Sequence, residues 1–169
     1  SFVGMAPVPL ATAMTPAEAA LYLKQVWNLD LNLEVAPMQE WPRQPHRGPD
    51  WPPWVPPSPG IRSWESAACY LATVFTEAVP SITCDRTGLL PFQVFGSPWM
   101  QGPAVIERLN AFRLPGVSFH FHPFVPNSGP WAGRLLSGVR IVVTDPLRFL
   151  PVTLSAHILA TLQELYGKQ

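Results

Sequence analysis

Proline constrains this chain more than any other feature. From residue 37 to residue 60 the sequence runs Pro-Met-Gln-Glu-Trp-Pro-Arg-Gln-Pro-His-Arg-Gly-Pro-Asp-Trp-Pro-Pro-Trp-Val-Pro-Pro-Ser-Pro-Gly. Each proline fixes φ and withdraws a backbone donor, so neither a helix nor a strand can pass through such a stretch. With Trp41, Trp51 and Trp54 along it, the segment is too apolar for a solvated linker and reads as an ordered loop laid over a domain. The whole chain holds 22 prolines and seven tryptophans in 169 residues. Several are neighbours, as in Trp41-Pro42, Pro53-Trp54, Pro98-Trp99 and Pro130-Trp131. Two readings of these pairs stand side by side: flat aromatic faces offered to sugar rings, or aromatic–proline packing that anchors long loops.

Around that loop the hydrophobic spacing predicts regular elements. Residues 1–14 read as an extended lead-in. Thr15-Pro16-Ala17-Glu18 starts a helix, with Thr15 as cap, Pro16 at the first helical position and Glu18 closing a capping box. Its apolar residues recur to about Asn28. Leu31 to Val35 alternates like a short strand, and Ser63 to Thr76 reads as a helix passing into a strand. Residues 80–90 are a loop and Phe92 to Phe95 a short strand. Gly102-Pro103 opens a helix that Leu114-Pro115-Gly116 stops. Val117 to His122 alternates strictly, the largely apolar Val139 to Val143 suits a central strand, and a last helix covers about 151–166. These elements imply one compact α/β domain of the α+β type spanning residues 1–169, a small mixed sheet flanked by three to four helices with long Pro/Trp-rich loops.

Charge excludes some functions. Eleven basic and eleven acidic residues cancel, whereas nucleic-acid binders carry a basic excess to neutralise phosphates. No nucleic acid is expected as a partner. No apolar run reaches the roughly 20 residues of a membrane span. No Gly-rich phosphate loop, nucleophile elbow or Cys-x-x-Cys pair is present, so no cofactor is expected. The chain opens on Ser1 without a leader pattern, which reads as a processed chain or a fragment. Cys69 and Cys84 either bridge a loop of about 15 residues, worth roughly 3 kcal/mol, or serve as small core residues.

Three constellations bear on chemistry. His120 and His122 share one strand face and are candidate metal ligands, although zinc asks for three or four and His46 and His157 are distant in sequence. The loop Thr83-Cys84-Asp85-Arg86-Thr87-Gly88, following Glu77, gathers acid, base and hydroxyl in a chain short of all three. Its arginine suits a carboxylate, such as the lactyl group of N-acetylmuramic acid; the plainer reading is a surface turn with a local Asp–Arg pair. Glycoside hydrolysis needs two facing carboxyls, and Glu77 and Asp85 are the candidates that bracket a loop.

Four stretches resemble the C-terminal half of the NamZ-type exo-β-N-acetylmuramidases. They are Trp54 to Pro59 (Trp-Val-Pro-Pro-Ser-Pro), Pro91 to Trp99 (Pro-Phe-Gln-Val-Phe-Gly-Ser-Pro-Trp), Leu109 to Val117, and Gly138 to Asp145. The resemblance runs from about Leu10 to the end. It implies an accessory domain that forms one side of a sugar cleft, with the main catalytic carboxylate in an N-terminal Rossmann-like domain that has no counterpart here. It also implies an extracytoplasmic location, a peptidoglycan-derived sugar or muropeptide as ligand, and the missing N-terminal domain or another subunit as protein partner. Between Glu77 and Pro91 the family usually reads Glu-Gly-Thr-Asn-Leu-Ser-Glu-Gly-Arg-Gly-Thr-Thr-Arg; here Arg86 falls on its inner arginine, Cys84 on its second glutamate and Leu90 on its last arginine. The family's Ser-Lys-His-Ala-Gly becomes Gly129-Pro130-Trp131-Ala132-Gly133. A degenerate loop follows, with Arg86, Thr87, Trp99 and Trp131 as the residues left for substrate. Hydrolysis by this chain alone is not expected. The alternative is a structural or interaction subunit of an extracytoplasmic assembly that has lost glycosidase function.

Overall fold

The computed structural model describes residues 6–39 and 53–167. The chain divides into two compact units, Ser1–His46 and Arg47–Gln169. Trp41, Trp51, His46 and most of the proline-dense loop lie outside the described residues.

In the first unit, α1 (Pro16–Val26) begins as its sequence requires. The Thr15 side chain accepts from the Glu18 N–H at 3.3 Å, while the Glu18 carboxylate accepts from the Thr15 N–H at 2.8 Å. No residue of α1 is buried, and Leu21, Val26 and Trp27 are exposed, as are Leu29, Leu31, Val35 and Met38 beyond it. The expected strand over Leu31–Val35 does not form. Alternation favours an extended backbone, but a strand also needs a paired neighbour, and none is present among the described residues.

The second unit holds α2 (Trp64–Thr73), α3 (Gly102–Ala111), α4 (Pro151–Tyr166) and the strands β1 (Val94–Phe95), β2 (Val117–Phe121) and β3 (Val139–Val143). The sheet order is β1-β3-β2, and both pairings are antiparallel. The mixed sheet expected from sequence is therefore corrected, although β3 is central as read. Arg140 interrupts its apolar run and pairs with Val94 on one side and His120 on the other. The predicted passage of α2 into a strand is also corrected: the chain tightens into a 3-10 turn over Val74–Ala78. There Thr76 donates its hydroxyl to the Thr73 carbonyl at 2.6 Å, a local bond that competes with a ladder.

The main core joins Cys69, Phe95, Leu109, Ile141, Leu154 and Ile158 between helices and sheet. A side chain of leucine or phenylalanine size buried there contributes about 1.5–3 kcal/mol. Cys69 and Cys84 are both buried and unbridged, so the core-residue reading of the cysteines holds. A smaller cluster of Val94, Phe124 and Leu136, with Leu90 and Trp131 against it, joins β1 to the loop between β2 and β3. Gly138 makes that cluster possible, because a Cβ there would run into the Phe124 ring. Among the described residues no helix is long and apolar enough to cross a membrane.

Candidate functional site

The loop that leaves the 3-10 turn is fastened at both ends. Thr73, fully buried, donates its hydroxyl to the Phe92 carbonyl at 2.9 Å, tying the end of α2 to the strand that follows the loop. Thr83 and Gly96 form an isolated antiparallel bridge with both N–H to O contacts at 2.9 Å. The Phe92 N–H then donates to the Cys84 carbonyl at 2.9 Å. Residues 82–85 are thus held along the edge of β1, and the stretch beyond them turns outward with Arg86, Thr87 and Leu89 exposed.

Of the sequence candidates, Glu77 and Arg86 come together: Arg86 Nη1 lies 3.7 Å from Glu77 Oε1. The Cys84 thiol also points to Glu77 Oε1, at 3.7 Å. Burial first, and the neighbouring Glu77 carboxylate second, push that thiol up to about 12, so it stays protonated and is no nucleophile at neutral pH. Asp85 goes the other way. It has φ +51°, is 7% exposed, and turns its carboxylate onto the Cα of Gly88, where any Cβ would collide with it. Its Oδ1 has no hydrogen-bond partner among the described residues. Burial raises its pKa above the ordinary carboxylate range, opposed by the Leu90 N–H, the charges of His122 and Arg62, and the Leu89 N–H. One acid is therefore at the surface beside a guanidinium, and the other is withdrawn from water.

Two loops meet at this place. The Thr87 and Ser128 hydroxyls are 2.7 Å apart, and the Trp131 indole N–H donates to the Ser81 carbonyl at 3.0 Å. Arg134 lies over the Trp131 ring, 5.8 Å from its centroid. Trp99 points elsewhere and packs against Tyr166 of α4 with centroids 5.0 Å apart. The Tyr166 hydroxyl in turn accepts from the Gln101 N–H at 3.0 Å.

The histidines remain dispersed. His120 is exposed on β2, with its Nε2 at 3.0 Å from the Ser118 hydroxyl. His122 lies beyond the strand end and acts on the Asp85 carboxylate through its charge. His157 stacks on Phe112 at 4.1 Å. Among the described residues no three His, Cys, Asp or Glu side chains gather to hold a metal ion, so His120 and His122 find no third ligand there. Sequence reasoning missed Ser81 and Ser128, whose partners are 50 and 41 positions away respectively, and it placed Gly88 in the loop without its contact to Asp85. Only the Asp85–Gly88 spacing carried a local signal, that of a turn.

A family model described as the C-terminal part of the exo-beta-N-acetylmuramidase NamZ matches residues 68–169. The chain belongs to the NamZ family. The model of the family's N-terminal part matches residues 1–65, which corrects the expectation that this part has no counterpart here. The chain is similar to the peptidoglycan beta-N-acetylmuramidase NamZ of Bacillus subtilis, with 34% identity over 166 residues, covering 98% of this chain and 40% of the relative. It also shares the fold of a DUF1343 family protein from Bacteroides fragilis of known crystal structure, at a TM-score of 0.86 and 24% identity over 99% of this chain and 44% of that one. The NamZ-family chain thus spans about two fifths of the length of these relatives.

Proposed function

We propose that this chain is the accessory, cleft-forming part of a NamZ-type muramidase, that it binds a peptidoglycan-derived sugar, and that alone it does not hydrolyse one. In this reading the chain is extracytoplasmic and its protein partner is the remainder of the N-terminal Rossmann-like domain. The observation that carries it is the state of the two acids. Hydrolysis by paired carboxyls requires both to reach the same glycosidic bond, yet Asp85 is buried against Gly88 while Glu77 lies at the surface beside Arg86. What stays accessible is Arg86, with Thr87 beside it, and a guanidinium is a good partner for the carboxylate of a lactyl-bearing sugar. Trp131 braces their loop through Ser81.

Incubation with a chromogenic N-acetylmuramic acid glycoside tests the reading. No release above buffer is expected from the chain alone, and steady release that disappears in Glu77→Gln would overturn it. A second reading, a non-glycosidase interaction subunit, is favoured by the exposed apolar residues from Leu21 to Met38, since such surface usually marks a protein contact. Muropeptide binding separates the two, being expected only of the cleft wall.

A further inference from the structure

Asp85 to Gly88 form a four-residue turn. The Gly88 N–H closes it by donating to the Asp85 carbonyl at 2.8 Å, which leaves Arg86 and Thr87 at the two central positions. Thr87 is braced from outside. Arg62, ahead of α2, donates from Nη2 to the Thr87 carbonyl at 3.4 Å and from Nε to the Pro59 carbonyl at 3.0 Å, and the Ser128 hydroxyl meets the Thr87 hydroxyl. The direction in which the chain enters Arg86 is set instead by Asp85, at φ +51°. The Arg86 stem then passes Gly60, where an added Cβ would stand 3.4 Å from Arg86 Cγ.

Asp85 is a costly residue for that place. Its φ is disfavoured for any side chain, although less for Asp than for most, and a carboxylate loses hydration when buried. Oδ1 has no hydrogen-bond partner among the described residues. Glycine would adopt the same φ and bury no charge. What the side chain adds is an interior to the turn: both carboxylate oxygens occupy the place a Cβ on Gly88 would take. The N–H groups of Leu90 and Leu89 and the charges of His122 and Arg62 surround it and favour its charged form. Backbone strain and an unmatched polar atom kept together at an exposed turn point to function more than to stability.

We infer that Asp85 is a positioning residue for sugar recognition: its side chain, packed inside the turn against Gly88, fixes the backbone from which Arg86 reaches the ligand's carboxylate. The inference rests on the glycan-binding reading above and deepens it, because a turn already held in the binding geometry loses less freedom when the sugar arrives. Arg86 makes the contact, and Asp85 acts only through it.

Titrating the full chain and its variants with N-acetylmuramic acid, followed by chemical shifts, tests this. Asp85→Asn keeps the shape, tolerates the same φ and still offers a carbonyl acceptor, so its affinity should stay close to the parent's. Asp85→Gly keeps the φ but empties the turn. Its affinity is expected to fall about tenfold, as for a turn that holds the presenting geometry about a tenth of the time. Adding Arg86→Ala to Asp85→Gly should then cost far less than Arg86→Ala costs the parent, since the two residues act as one unit. Gly88→Ala reaches the same loss by another route, because its Cβ displaces the carboxylate, and it decides the matter if Asp85→Gly does not fold. Parent-like affinity in Asp85→Gly and Gly88→Ala overturns the positioning role and spares the glycan-binding reading. Equal losses in Asp85→Asn and Asp85→Gly would make the charge of the carboxylate responsible rather than the turn, and would also overturn it. Absence of binding by the parent overturns both.

Discussion

Two adjacent stretches of this chain make opposite use of their residues. From Pro91 to Ser97 every residue is buried, and Phe95 sits at the centre of the main core. Immediately before it, Arg86 and Thr87 are exposed and Leu89 is 91% exposed. The first belongs to the resemblance with the muramidases and the second is where the sequence departs from it; one is specified by packing and the other by what it presents to solvent. A buried stretch must satisfy many neighbours at once. An exposed loop is answerable only to its ligand, and can lose polar groups without unfolding the domain.

The contrast breaks most visibly if Phe95 can be truncated. Phe95→Ala is expected to cost about 3–5 kcal/mol, read as a lower urea midpoint, and a loss below about 1 kcal/mol would mean that the stretch is not specified by its packing. Gly88→Ala comes next. Its Cβ collides with the Asp85 carboxylate, and the rearrangement is expected to cost about 1–3 kcal/mol, which would show that the outward loop has one anchored point. If Gly88→Ala is neutral, the loop carries no such constraint.

Asp85 sharpens the same point through pH. Its folded pKa is raised from the ordinary 3.8, so as pH rises through that value the unfolded chain releases its proton before the folded chain does. Stability then falls with rising pH until the folded carboxyl has ionised, and is level above that. Asp85→Asn removes this fall. Paired urea titrations from about pH 3 to about pH 7 should show the variant gaining on its parent as pH rises, whereas a constant difference would mean that Asp85 ionises as freely in the fold as outside it. The smallest effect on stability is expected at Arg86→Ala. An exposed ion pair contributes less than about 1 kcal/mol, so the melting temperature should hardly move while binding of the carboxylated sugar is lost. A large drop in melting temperature would turn Arg86 into a structural residue.

Much of this division was legible before the fold was seen. The Thr15–Glu18 capping box, the proline-started α3, the span of α4 and the central position of β3 follow from local patterns, and local patterns are what helix starts and strand interiors consist of. The failures lie where an element depends on a distant partner. Leu31–Val35 has the alternation of a strand and, among the described residues, no neighbour to pair with, and the expected strand after α2 gave way to the Thr76–Thr73 bond. The mixed sheet failed for the same reason, since strand direction is set by pairing and not by spacing.

The candidate site was half readable. Glu77 and Arg86 do meet, but nothing local separates Glu77 from Asp85. Both are acids flanking one loop, and only the positive φ of Asp85 and the bare Cα of Gly88 decide that one is buried. Trp131 and Trp99, both read as aromatic platforms, differ in the same way: the first is clasped by Ser81 across the loop pair and the second faces α4.

The most direct measurement is a proton NMR spectrum of a muropeptide bearing a free lactyl carboxylate, recorded over hours in the presence of the chain alone. A wall that binds but cannot cleave broadens the ligand's sugar resonances and leaves its anomeric signals unchanged in number and intensity. New anomeric signals from a released sugar would place the reactive acids within this chain, and unbroadened resonances would remove its glycan site.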